Sequence, residues 1–319
     1  MFTTSTQKHF WIFADDEALK NIREETNRKF VDKHSNDLSD IKEAQDHFLT
    51  VDEEKTLLSM YEFQLKDFCF KFQPPMNKTV ISTAFHYFKR FYLYNSVMNY
   101  HPKEIMVTCI YLACKIEEFN LTLNRFVANI RGDREKATDI ILNNELLLMS
   151  AMKFHLTIHN PYRPVEGLLI DLKTRYPHFD AEILRPHVED FLDKVLLTDI
   201  PLQYAPSQIA LASVLEAGRK CKEKVDPYVT ETLVTDQSLL LPVVEAVRTI
   251  RKTVRMTSID SPNRELRIEL DKKLEKCRNQ ENNPDSAIYK SRLKRLEENM
   301  DDDEASRDSN FDHFDDSFN

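Results

Sequence analysis

Glycine is almost missing from this chain of 319 residues, which has only Gly132, Gly167 and Gly218. Hairpin turns and phosphate-cradling loops depend on glycine at positive φ. Such scarcity argues against most β and α/β architectures and favours long helices, which tolerate it well. Also absent is any uninterrupted apolar run near the roughly 18 residues that mark a membrane span. The first residues, Met1 to Lys8, are polar, and no apolar core with a small-residue cleavage site appears, so no secretory or membrane destination is expected. The five cysteines, Cys69, Cys109, Cys114, Cys221 and Cys277, are odd in number and mostly sit inside apolar runs, as reduced core thiols do in an intracellular compartment. There is no Cys-x-x-Cys pair, Gly-x-Ser-x-Gly elbow, Walker loop or Gly-x-Gly-x-x-Gly. No catalytic or nucleotide-binding constellation can be assembled, and neither cofactor nor metal is expected. His155 and His159 share the spacing of some zinc ligands, but no Glu follows His155 and Pro161 stops a helix at once, which favours a structural role.

What is present is ample apolar material, 41% of the residues, in a length that suits about two domains. Charge is unevenly placed. Residues 51–160 sum to +1 and 161–257 to −1, whereas 297–319 carry −9, equal to the excess of the whole chain. A nearly neutral body argues against a broad nucleic-acid surface.

Capping chemistry marks the helix starts. Thr50 with Glu53 reads as a capping box, and His101-Pro102, Asn160-Pro161, Ala205-Pro206, Asp226-Pro227 and Ser261-Pro262 place proline where a first turn tolerates it. Leu241-Pro242 reads instead as a kink or reset. Between these marks apolar residues recur with a period of 3.6, as in Ile105, Cys109, Leu112 and Ile116. The pattern predicts an all-α chain with helices near 51–72, 78–94, 103–119, 123–131 and 134–154, then near 161–176, 181–199, 206–221, 227–234 and 238–255. The third member of each group of five is rich in small residues, Ala113 and Cys114 in one and Ala210, Ala212, Ser213 and Ala217 in the other, as a central helix requires. Two consecutive five-helix domains, 51–160 and 161–257, are therefore expected. They are flanked by an extension 1–50 with a helix near 15–30 and by a C-terminal helix in 258–280. Segment 31–49 is polar and predicts a loop. Residues 279–319, and the tail 281–319 in particular, have too few apolar side chains to bury and predict disorder.

One carboxylate is out of place. Glu145 lies in an apolar helical stripe with Ile141, Leu148, Met149 and Met152, and Lys115, in Leu112-Ala-Cys-Lys-Ile-Glu-Glu, is the best partner for it across a helix–helix contact. Spacing alone leaves a purely structural bridge and a functional pair on equal footing. Phe88, Phe91 and Tyr92 read as core.

The run Tyr87-Phe-Lys-Arg-Phe-Tyr-Leu, followed by Leu112-Ala-Cys-Lys-Ile-Glu-Glu and Glu145, resembles the cyclin box. His159-Asn-Pro-Tyr-Arg-Pro, Leu169-Ile-Asp-Leu-Lys-Thr-Arg-Tyr-Pro, Tyr204-Ala-Pro-Ser-Gln-Ile-Ala-Leu and Gln7-Lys-His with Trp11 extend the resemblance over about residues 5–280, toward the cyclins of the CDK-activating kinase. The resemblance implies a nuclear, non-catalytic subunit that binds and activates a cyclin-dependent kinase. It implies a RING-finger assembly subunit as third partner, and membership of transcription and repair factor H, where the kinase phosphorylates the RNA polymerase II tail. A free form would act on cell-cycle kinases. The family's paired lysine and glutamate fall on Lys115 and Glu145, and its apolar kinase contacts on Met149, Phe154 and Leu156. The Met-Arg-Ala-Ile-Leu substrate patch of cell-cycle cyclins is replaced here by Thr56-Leu-Leu-Ser-Met-Tyr-Glu-Phe, which puts substrate recruitment there in doubt.

Two other classes use similar material. A factor of the transcription factor IIB type shares the helical box but binds promoter DNA, and would need basic stripes that the sums of +1 and −1 do not announce. An inert scaffold joining kinase to transcription machinery is not distinguished by sequence. No direct nucleic-acid or membrane contact is expected. Lys290, Arg292, Lys294 and Arg295 read equally as an import signal or a solvated helix face. Ser309, three residues before Asp312, fits acidophilic kinases.

Overall fold

The computed structural model describes residues 2–35, 47–176, 178–234, 236–257 and 263–295. Among these residues no strand forms. Helices α1 (Thr6–Phe10) and α2 (Asp16–His34) precede a first group: α3 (Val51–Lys71), α4 (Lys78–Tyr94), α5 (Pro102–Ile116), α6 (Leu123–Val127) and α7 (Arg134–Ala151). The second group holds α8 (Tyr162–Arg175), α9 (Arg185–Val195), α10 (Pro206–Cys221), a π-helical segment Tyr228–Leu233 and α11 (Gln237–Met256), after which comes α12 (Arg264–Cys277).

The caps act as read. Thr50 and Glu53 exchange side-chain and backbone hydrogen bonds at 3.2 and 2.8 Å. His101 Nδ1 accepts from Lys103 N ahead of Pro102. Pro242 lies inside α11 without ending it. The expected helix 181–199 is divided: a 3-10 turn Ala181–Leu184 leads into α9, and Ile200–Leu202 forms another 3-10 turn. Pro186 in the first turn of α9 and Pro201 within the following turn set those breaks, because proline lacks the N–H that a continuous ladder needs. The loop expected from 31 gives way to α2 as far as His34. The Ser261-Pro262 start, part of segment 31–49 and the tail beyond Arg295 lie outside the described residues.

α5 and α10 occupy the middle of their groups, α5 packed by α3, α4 and α7 and α10 by α8, α9 and α11. Small residues permit this. Gly218 on α10 faces Val225 so closely that an added Cβ would meet the valine Cγ2 at 2.5 Å. α4 is buried on every side from Val80 to Leu93, and within it Lys89 Nζ meets Glu62 at 2.6 Å beneath the surface.

Polar contacts tie the two groups and the amino-terminal segment together. Arg23 on α2 grips Asp199 with two hydrogen bonds of 2.9 Å, Lys78 on α4 meets Glu189 on α9, and Phe13 N donates to Leu202 O. Residues 279–295, expected to be disordered, are instead anchored by polar groups that an apolar count overlooks. Asn279 N donates to Met98 O, Asn282 Nδ2 and Asn279 Nδ2 donate to Asn99 Oδ1, and Asp285 pairs with Lys136. Residues 287–295 are helical.

Candidate functional site

The last turn of α5 and the outer face of α7 bring the expected pair together: Lys115 Nζ lies 2.5 Å from Glu145 Oε1. The setting differs from the expectation in one respect. The Glu145 side chain is 14% exposed but that of Lys115 is 49%, so the pair is a rim contact, not a buried one. The reason is that α7 has more apolar residues than one inward stripe absorbs. Ile141, Leu148 and Met152 face the core, while Leu142 and Leu146 stand 53% and 63% exposed on the side that carries Glu145. Ile116 adds to this surface from α5, and Lys115 also sits 5.7 Å from the Tyr111 ring.

Just past α7 the chain reverses. Lys153 and Phe154 both adopt left-handed backbone, φ 52° and 57°, which costs an L-residue roughly 1–2 kcal/mol each. The turn pushes Phe154 outward, 60% exposed, while Met149 and Leu156 stay half-buried against the core. All five expected site residues therefore lie along α5, α7 and this turn, in three different degrees of exposure.

The strained turn is fixed from beneath. Tyr87 Oη donates to Leu156 O at 2.6 Å, and Arg90 Nη1 donates to His155 O at 3.1 Å. Arg90 is almost wholly buried, which pulls its guanidinium down to about 9, still charged at neutral pH. Its Nε and Nη2 have no hydrogen-bond partner, and the face of Trp11, 4.8 Å away, supplies a cation–π contact in their place. Trp11 Nε1 donates to His155 Nδ1, the Gln7 amide exchanges hydrogen bonds with the backbone of His159, and Phe10 stacks on the His155 ring. The two histidines are thus held by the amino-terminal segment.

Leu142, Leu146 and Phe10 were not singled out from sequence, and Ile116 was read only as part of an apolar stripe. The signal was there in part: Ile140-Ile-Leu and Leu146-Leu-Leu-Met exceed what one helical stripe can bury. Phe10 carried none, since only the docking of α1 beside residue 155 brings it to this surface. Net charge misled in the second group. Its sum of −1 conceals Arg248, Arg251, Lys252 and Arg255, which share one face of α11.

Comparisons with known proteins place the two helical groups in a family. The family model described as the cyclin N-terminal domain matches residues 23–157, and the cyclin C-terminal domain matches residues 160–279. The chain belongs to the cyclin family. It is similar to cyclin-H of Xenopus laevis, 39% identical over 293 residues and 88% of either chain. Among solved structures it resembles a chain of the CAK complex of Chaetomium thermophilum bound to ATP-gamma-S, with a TM-score of 0.79 at 24% identity over 93% of this chain and 94% of that one. It also resembles a chain of the yeast TFIIK complex of Kin28, Ccl1 and Tfb3, with a TM-score of 0.64 at 26% identity over 79% of this chain and 99% of that one.

Proposed function

We propose that this chain is a non-catalytic cyclin that binds the cyclin-dependent kinase of a CDK-activating kinase and holds it active, in the nucleus and within transcription and repair factor H. A RING-finger subunit would complete the assembly, and the polymerase II tail would be the substrate there. The observation that carries the reading is the open apolar face of Leu142, Leu146 and Phe154 set around the Lys115–Glu145 pair. Exposed apolar side chains clustered about a polar pair are what a docking surface requires. Similarity to cyclin-H of Xenopus laevis and to a chain of the yeast TFIIK complex supports the choice of kinase.

Phosphoryl transfer by such kinases needs a Lys–Glu ion pair that forms only when the kinase's C helix is swung inward. A ligand with differential affinity for that state shifts the population, and moving it from 1:99 to 99:1 takes about 5.5 kcal/mol. Burial of the leucines and Phe154 against the kinase supplies apolar free energy. Lys115 and Glu145, desolvated on docking, offer hydrogen bonds to the C helix and its flanks, and Met149 and Leu156 support the turn from within.

The test mixes the chain with its kinase and follows phosphorylation of a polymerase-tail peptide at limiting cyclin. Glu145→Ala is expected to weaken kinase affinity by about 2 kcal/mol, some thirtyfold, as truncation of an interfacial charge pair does. Unchanged activation would remove the pair from the interface. The reading of the IIB type is disfavoured by the family match, and tight, salt-sensitive DNA binding in a gel shift would restore it.

A further inference from the structure

In the second helical group, α10, α11 and the π-helical segment line an open groove of about 700 Å³. Its floor is apolar, with Leu215, Val243, Val244 and Val247, and Met256 stands at one end, 76% exposed. Its walls are basic. Glu216, nearly buried, accepts hydrogen bonds from Arg219, Arg251 and Arg255, two of them at 2.7 and 2.8 Å. One carboxylate thus fixes three guanidiniums and leaves a local surplus of positive charge. Burial works to raise the Glu216 carboxyl, but the three arginines prevail and hold it down to about 2, so it stays charged at any ordinary pH. Arg248 and Lys252 add two cations exposed on the same wall, and among the residues described as lining the groove only Asp226 opposes them.

The groove therefore asks for an occupant that is both acidic and apolar. The chain supplies one. Residues 297–319 sum to −9, and within them Phe311, Phe314 and Phe318 recur at steps of three and four, interleaved with Asp312, Asp315 and Asp316. At helical spacing the three rings would share one face with the carboxylates beside it. Phe311 is 16 residues beyond Arg295, a length that reaches roughly 50 Å when extended, about the diameter of a protein this size.

We infer that the acidic aromatic segment around Phe311–Phe318 docks in cis into the groove of α10 and α11, with the phenyl rings on the valine floor and the carboxylates on Arg248, Lys252 and the Glu216-held arginines.

A fluorescent peptide of residues 305–319 is titrated onto the full chain and onto a full chain in which Phe311, Phe314 and Phe318 are replaced by Ser. A tethered occupant sits at an effective concentration near millimolar, so the wild-type groove should resist the peptide and the serine variant should bind it about tenfold or more tightly. Arg248→Glu with Lys252→Glu, both exposed and in no ion pair among the described residues, should abolish that binding without altering the melting temperature, and about 0.5 M salt should weaken it. Equal binding to wild type and serine variant overturns the proposal. So does equal binding of a scrambled peptide of the same composition, which would make the attraction charge alone, and so does indifference to the Arg248 and Lys252 reversals.

Discussion

In the first helical group a partly buried carboxylate, Glu145, meets one half-exposed lysine beside leucines left open among the described residues; in the second, a nearly buried carboxylate, Glu216, gathers three arginines. Glu145 sits on α7, which packs against the central helix α5 of its group, whereas Glu216 sits on the central helix α10 itself. Their duties differ because their surroundings do. Around Glu145 the surface is apolar, so the pair becomes strongly coupled only when a partner removes water from it. Around Glu216 the cations outnumber the carboxylate, so its work is done within the chain. It sets the arginines in place and leaves their surplus charge outward.

Lys89 and Glu62 provide the extreme against which both are measured, because this pair is enclosed between α3 and α4 with 3% and 11% of its side chains exposed. Burial raises the Glu62 carboxyl, Lys89 opposes that, and the net direction is upward. The largest effect is expected here. Lys89→Ala strands the carboxylate and should cost about 3–5 kcal/mol in urea unfolding. A loss below about 1 kcal/mol would mean that water reaches Glu62, and the contrast between core and surface pairs would fail.

How much of this was legible depends on what the signal counts. The helices of both groups follow from apolar period and caps, since Thr50, His101 and the prolines state their positions locally. The Lys115–Glu145 contact was legible because a carboxylate in an apolar stripe is conspicuous. Its exposure was not, because only packing decides which of the apolar residues on α7 turn inward. The order in 279–295 escaped for the opposite reason: asparagines anchor it, and asparagine reads as loop. Summed charge hid the α11 cluster, because a sum over a hundred residues discards which face each charge occupies.

Glu216→Gln comes next in size. Its neutral amide still accepts hydrogen bonds but leaves three arginines facing one another, an expected loss of about 1–2 kcal/mol at neutral pH. The pH dependence fixes the cause. A carboxyl held below its ordinary value of 4.5, at about 2, contributes stability that is complete above about 4.5 and disappears as pH falls toward 2. The gap between wild type and Glu216→Gln in urea midpoint should therefore be widest at neutral pH and close progressively through that window. A gap constant with pH would assign the loss to packing and erase the difference in duty between the two carboxylates.

The smallest effect is the sharpest. Glu145→Ala, which should weaken the kinase complex, is expected to change the stability of the free chain by less than about 1 kcal/mol, since Lys115 is half-exposed and water replaces its partner. Thermal melts of the free chain decide it, and the melt must be read beside the kinase assay. A large fall in stability would show that Glu145 braces α7 against α5 in the free chain, and loss of activation would then report a damaged fold. A melt unmoved while activation collapses leaves the pair one duty, at the surface that meets the partner, and sets it apart from Glu216, whose removal is felt with no partner present.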